Sequence, residues 1–343
     1  MKELLCILML AAAPLSAGVV SREAAWNVDG ATITATITLP GGKGPYPGVV
    51  MVAGSGPTDR NWCSRLLPGS NCSAPLIAEA LAKAGFAVVR YDKSVTGPNA
   101  AANMALMYGK LSMQSHMAEV AAAAAALRKE PSVDGARVFA FTNSEGALHA
   151  LNCQNDGGCN FAGLVLEGVP GRSTKAVLRG QIAAQVAAMP DHETVMAGFD
   201  KLMANFTAGL PFAPDQQVPA GINQLFAGFY NPVNLPFARE LMAADPAAMA
   251  AKVKVPVLVV IGKKDVQTDW ELDGAPLRQA LAANDQAKFV FPADANHVLK
   301  YEPKPREQLS NMDGLQYNAA GRVLDPAALK EIIAWLNLTA KRK

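Results

Sequence analysis

With 343 residues, half of them hydrophobic, the chain can bury a large core and fits one α/β domain or a domain carrying an insertion, which excludes a disordered protein. Its formal net charge of +2, with acids and bases interspersed, provides no basic stripe for a phosphate backbone. Nucleic acid is therefore not an expected partner.

In chain order, "MKELLCILMLAAAPLSAG" places Lys2 before a short apolar run that ends in small residues around Ala17, the pattern of a secretory signal over residues 1–18. The run from Leu4 to Ala13 is about half the roughly 20 residues a spanning helix needs, and no later segment is long and apolar enough, so no stable membrane anchor is expected. Removal of the signal takes Cys6 and leaves Cys63, Cys72, Cys153 and Cys159. The members of each pair are close in sequence and lie in polar or Gly-rich stretches. Two local disulfides are the favoured choice among three connectivities, in an exported, periplasmic or extracellular protein.

"ATITATITLP" alternates, with Ile33, Ala35, Ile37 and Leu39 on one face and threonines on the other, which predicts a half-solvated antiparallel strand. The later runs "YPGVVMVAG", "FAVVRYD", "RVFAFTNS", "FAGLVLEG", "VPVLVVIG" and "KFVFPAD" are short, continuous and β-branched, as in strands covered on both sides. Helical stretches such as "SAPLIAEALAKAG", "SMQSHMAEVAAAAAALRKE" and "PAALKEIIAWLNLTA" separate most of them. This alternation predicts an α/β fold with a mostly parallel sheet and helices on both faces. It breaks after Val169, so residues 19–168 and 255–343 are expected to form the core and residues 169–254 a helical cap insertion with Pro-rich turns.

Chemistry is legible where the strands end. Ser144, in "FAFTNSEGALHA", follows an apolar run and precedes a helix-forming one, the context a G-x-S-x-G nucleophile turn requires, although Thr142 replaces the first glycine. Asp265 follows "VPVLVVIGKK" and His297 follows "KFVFPADAN", which gives the order serine, acid, histidine, with Asp269 and Glu167 as alternative acids. In such a constellation the histidine takes the serine proton and the acid fixes its tautomer. The glycine-flanked loop "VVMVAGSGPTDRN" offers backbone donors, so the N–H groups of Ser55 and Glu145 are the expected oxyanion hole. Read as a nucleotide loop, the same stretch lacks both the G-K-[ST] ending and a third glycine.

The segments "AGSGPTDRN", "GFAVVRYDK", "NSEG", "GKKDVQ" and "ANHVLK" follow one another as in the secreted bacterial α/β-hydrolases of the capped esterase/lipase and serine-aminopeptidase-like group, which the whole chain after the signal resembles. The resemblance implies an α/β-hydrolase fold with a helical cap and a Ser144–His297–Asp265 triad; the leading expectation is hydrolysis of carboxylic esters through an acyl-enzyme, with a small-molecule ester or short peptide as substrate. It departs from the pattern at Ala53, where a histidine is usual, at Thr142 and at Asn143. Prolyl-type peptidase or thioesterase activity would use the same residues, and a non-catalytic binding protein on this scaffold is the alternative of a different class. No cofactor is implied, and with no H-E-x-x-H or clustered ligands no metal site is expected. Asp92 reads as structural, His116, His149 and His192 as packing or surface residues, and Asp59 and Arg60 as pocket-shaping or mutually paired.

Overall fold

In a computed structural model that describes residues 18–342, eight strands form one sheet in the order β1-β2-β4-β3-β5-β6-β7-β8. They are β1 (Val20–Val28), β2 (Ala31–Leu39), β3 (Tyr46–Val52), β4 (Ala87–Tyr91), β5 (Val133–Asn143), β6 (Leu164–Glu167), β7 (Val257–Val260) and β8 (Ala287–Val290). The β1–β2 and β2–β4 pairs are antiparallel, and from β4 to β8 all pairs are parallel. The signal expected over residues 1–18 lies, but for its last residue, outside the described part.

Strand β1 has no counterpart in the sequence reading. Only Ala24, Trp26 and Val28 pack partly against the core, and its other residues are exposed at the sheet edge. The pairing is set by the turn: Asp29 and Gly30 both have positive φ, 49° and 89°, the requirement of a tight two-residue hairpin. The threonine face of β2 is also less solvated than expected. Thr36 Oγ1 donates to Glu23 Oε1 at 3.0 Å, while Asn99 Nδ2 donates to Thr34 Oγ1 at 2.6 Å and Asn103 Nδ2 to the Thr32 carbonyl at 2.9 Å, so polar partners cover it.

The parallel strands alternate between two cores, as the two-residue strand period requires. Val50, Val52, Ala140, Leu166 and Val259 face one side and Val49, Met51, Phe141, Val165 and Val260 the other. On the second side pack α1 (Ser73–Lys83) and the C-terminal helix Pro326–Ala340. Asp325 caps the latter by accepting from Ala328 N at 2.7 Å, with Pro326 at its first position. On the first side lie α3 (Met113–Arg128) and α4 (Gly146–Asn155), while α2 (Ala100–Met107) sits against β2.

Between β6 and β7 run five helices: α5 (Thr174–Val186), α6 (His192–Thr207), α7 (Ala220–Phe229), α8 (Leu235–Ala243) and the short α9 (Pro246–Ala250). The first four share a separate apolar cluster that includes Val195, Phe199, Phe206 and Phe226, with Phe199 and Phe226 edge to face at 5.6 Å. Their entry is anchored by Arg172, whose guanidinium donates twice to the buried Asp273 at 2.9 and 2.8 Å just before α10 (Gly274–Ala280). With the C-terminal helix as α11, these elements account for the described α-helices. Both local disulfides form, Cys63–Cys72 and Cys153–Cys159.

Candidate active site

Where β5 ends and α4 begins, Ser144 has φ +53°, a left-handed backbone that a side chain adopts only at some cost. The neighbours enforce this turn. A Cβ on Gly146 would stand 2.6 Å from the carbonyl oxygens of both Val52 and Ala53, so only glycine lets α4 cross the end of β3. Ser144 N donates to the Glu167 carbonyl at 2.8 Å. Thr142, where a second glycine is usual, is completely buried, and its Oγ1 donates to the Val165 carbonyl at 3.2 Å. The extra hydroxyl thus has a partner on β6.

The acid and the histidine come from the loops after β7 and β8. These approach because Gly262 carries no side chain, since a Cβ there would lie 2.0 Å from the Ala295 carbonyl oxygen. His297 Nδ1 lies 2.8 Å from Asp265 Oδ2 and donates to it, while Asp265 Oδ1 accepts from the backbone N–H of Gln267 at 2.7 Å and Thr268 at 2.9 Å. The imidazole also leans on Gly168, where a Cβ would meet ring atoms Cε1 and Nδ1 at 3.1 and 3.2 Å. Burial pulls the His297 pKa down, but the charge and hydrogen bond of Asp265, helped by Glu167, more than reverse it and leave it raised.

Asn143 was noted in the sequence only as a departure from a family pattern, yet it joins the two halves of the site. Its Nδ2 donates to Glu167 Oε2 at 2.6 Å and to the His297 carbonyl at 3.0 Å, tying the residue before Ser144 to the histidine backbone. Burial pushes Glu167 up to about 8; His297 and the Asn143 hydrogen bond pull against it, and Asp265 adds to the rise. Glu167 bonds to Asn143 and its pKa is raised, whereas Asp265 holds the ring nitrogen directly, so Asp265 is the better placed acid. Asp269, the other alternative acid, accepts from Glu271 N and Leu272 N at 2.9 Å each and caps its own turn. Among the described residues Ser144 Oγ makes no hydrogen bond, so the histidine meets the serine turn through Asn143.

The loop after β3 passes close to this turn, with room for no side chain at Gly54, where a Cβ would lie 2.7 Å from Asn143 Oδ1. Among the described residues the N–H groups of Ser55 and Glu145 donate to no protein acceptor, and both residues line the same cavity of about 340 Å³ as Ser144. The rest of its wall is mainly apolar, with Leu148 from α4, Val177 and Leu178 from α5, Leu225 from α7 and Phe237 and Leu241 from α8. Asp59 and Arg60 stand apart from it and from each other. Asp59 Oδ1 accepts from Asn61 N and Cys63 N, while Arg60 pairs with Glu23 at 2.7 Å and its N–H donates to Asp92. Asp92 is a strand-end brace.

Beneath the serine turn lies a polar cluster that no spacing in the sequence reveals, because α3, α4 and the loop after β4 assemble it. His149 Nε2 meets Glu145 Oε1 at 3.3 Å, His116 Nδ1 meets Glu119 Oε2 at 3.0 Å, and the two rings lie 4.5 Å apart, tilted by 36°. Burial, His116 and Lys93 lower His149 to about 4 against the pull of Glu145, so its ring is neutral. Phe237 covers both rings edge-on or tilted, at 4.8 and 5.8 Å. Among the described residues no group of three or more His, Cys, Asp or Glu is arranged to hold a metal ion.

No family model matches the chain. A curated relative, Esterase EstD of Thermotoga maritima, is 25% identical over 303 residues, which cover 88% of this chain and 64% of that protein. The chain therefore spans less than two thirds of that relative's length. Among solved structures, an esterase of Pyrococcus furiosus superposes with a TM-score of 0.53 at 14% identity, covering 94% of this chain and 91% of its own. A hypothetical protein of Pseudomonas aeruginosa reaches 0.53 at 17% identity, covering 99% of both chains. A dienelactone hydrolase-like promiscuous phosphotriesterase from metagenomic libraries reaches 0.50 at 17%, covering 94% of this chain and 98% of its own. The chain has the α/β-hydrolase fold, a mostly parallel eight-stranded sheet covered by helices.

Proposed function

We propose that the protein hydrolyses carboxylic esters through an acyl-enzyme on Ser144. The observation that carries this reading is the His297–Asp265 pair tied by Asn143 to a serine of positive φ, which faces an apolar cavity beside two unengaged backbone donors. The relative named an esterase agrees with it.

In this mechanism the Ser144 hydroxyl swings to His297 Nε2 and attacks the ester carbonyl as the ring takes its proton. Catalytic hydrogen bonds often close only once substrate is bound. Asp265 holds Nδ1–H and stabilises the imidazolium, while the Ser55 and Glu145 N–H groups receive the oxyanion. Collapse of the tetrahedral adduct breaks the bond to the alkoxide, which leaves with the proton from Nε2. Water deprotonated by the same nitrogen then attacks the acyl-serine, releasing the acid and restoring the hydroxyl.

Glu145 is the one acidic residue on the cavity wall, and its carboxylate is engaged with His149. Among the described residues no acid is thus left there to hold a substrate amine, which favours esters over the prolyl-type peptidase alternative. Residues 169–254, carrying α5–α8, act as the cap that selects the acyl group. The two disulfides support an exported protein, and no helix among the described residues is long and apolar enough to cross a membrane.

The test is to treat the protein with a fluorophosphonate, map the adduct by mass spectrometry, and measure turnover of p-nitrophenyl esters of increasing chain length. Adduct on Ser144 with ester turnover is expected. A folded protein that neither labels nor turns over would be a binding protein on this scaffold.

A further inference from the structure

Lys93 follows β4 in "RYDKS" and is almost wholly buried, at 5% exposure. Its ammonium points at the back of the loop that carries Ser55. Nζ donates to the Gly54 carbonyl at 2.6 Å and to the Gly56 carbonyl at 2.9 Å, so one cation grips the residues on either side of Ser55.

The covalent geometry of the loop makes this grip directional. The Gly54 carbonyl and the Ser55 N–H belong to one trans peptide plane and point in opposite directions. A cation bound to the oxygen draws electron density across that plane and makes the N–H a stronger donor on the far side, where Ser55 lines the cavity. The Gly56 carbonyl precedes Pro57, whose nitrogen carries no hydrogen, so the second bond orients the loop without affecting a donor. The charge is balanced from within. Burial lowers the Lys93 pKa, and Glu145 and Glu119 work against that fall. Glu145 engages its carboxylate with His149, while its backbone N–H donates to no acceptor among the described residues.

We propose that Lys93 is a positioning residue that orients and polarises the Ser55 peptide, so that its N–H is matched to a developing oxyanion rather than to a neutral carbonyl. The proposal rests on the esterase reading above. Stabilisation of this kind appears in the transition state and not in the substrate complex, so it acts on kcat and leaves KM.

The experiment compares wild type with Lys93→Met, which removes charge and donor, and Lys93→Gln, which removes charge but keeps a donor. Three quantities are measured: kcat and KM on p-nitrophenyl butyrate, binding of phenylboronic acid as a tetrahedral mimic, and binding of N-propylbutyramide as an unreacting ground-state competitor. Loss of a direct oxyanion donor costs about 100-fold to 1000-fold, so Lys93→Met, acting one peptide away, is expected to lose roughly 10-fold to 100-fold in kcat. Boronate binding should weaken in step, with KM and amide binding within about twofold of wild type and Lys93→Gln intermediate.

A folded variant that keeps wild-type kcat, or one that loses boronate and amide binding equally, overturns the proposal. So does failure of both variants to fold, which would make the lysine purely structural. Absence of wild-type turnover and Ser144 labelling would sink the esterase reading itself, whereas wild-type turnover with unaffected variants removes the role of Lys93 alone.

Discussion

The cavity beside Ser144 has two walls built on opposite principles. One consists of turns at strand ends, where directed bonds fix each polar group: Asp265 accepts from His297, Gln267 and Thr268, Asn143 donates to Glu167 and His297, and Lys93 to Gly54 and Gly56. The other consists of α5, α7 and α8, whose apolar side chains mostly touch one another and whose polar links include exposed pairs such as Arg179–Asp200. Directed bonds hold atoms to the tolerance that proton transfer needs, while undirected packing accepts changes of shape at modest cost. Substitutions in the first wall should therefore change kcat, and substitutions in the second should change which substrates bind.

The largest expected effect follows Ser144→Ala, which should reduce kcat by roughly 10⁵-fold to 10⁶-fold and abolish fluorophosphonate labelling. Asp265→Asn should come next, with a fall of about 10⁴-fold at little change in KM, because the ring loses its tautomer control. Stopped-assay kinetics on one short ester measure both, and a mild effect of either would break the division between the walls.

The pH profile sharpens it. Only the neutral ring accepts the serine proton, so activity should rise with pH, and since His297 is held above the ordinary imidazole value of 6.5 the midpoint of kcat/KM should lie above it. Removing the Asp265 charge leaves burial to dominate, so the residual activity of Asp265→Asn should titrate at lower pH. A wild-type midpoint below 6.5 would contradict the coupling of this pair.

On the other wall, Leu241→Trp fills space that an acyl chain would use. Each methylene left unburied costs about 0.8 kcal/mol, or roughly fourfold in KM per carbon, so the preferred chain should shorten while kcat on acetate esters is retained. The smallest effect on activity is expected from the double change Cys153→Ser and Cys159→Ser. That bridge closes a short loop at the far end of α4, and its loss should lower stability by about 2 kcal/mol in denaturant melts with kcat and KM unchanged.

What the sequence makes legible follows from the same division. Continuous β-branched runs announce β3 to β8; both faces of β3 to β7 are covered, whereas β8, expected to be covered as well, is a half-exposed edge strand, and residues just past such runs, among them Ser144, Asp265 and His297, attract notice by position alone. Strand β1 stays hidden because its apolar period is short, Ala24, Trp26 and Val28 only, and is interrupted by the apolar but exposed Ala25, although Asp29-Gly30 signals the hairpin. Asn143, Lys93 and the paired His116 and His149 are equally silent, since their roles depend on which backbone atoms and rings three-dimensional packing brings within reach. The cavity wall is legible only as helix-forming, Met-bearing sequence after Val169, because undirected contacts impose no fixed spacing.

The contact of Gly146 with the carbonyls of Val52 and Ala53 has a further consequence for this architecture. Main chain rests against main chain there, so the spacing between the serine turn and the end of β3 works like a machinist's gauge block, its dimension set by backbone atoms alone. On the proposed esterase reading, substitutions in the insertion would change which acyl groups fit and leave the serine turn at its backbone-set spacing.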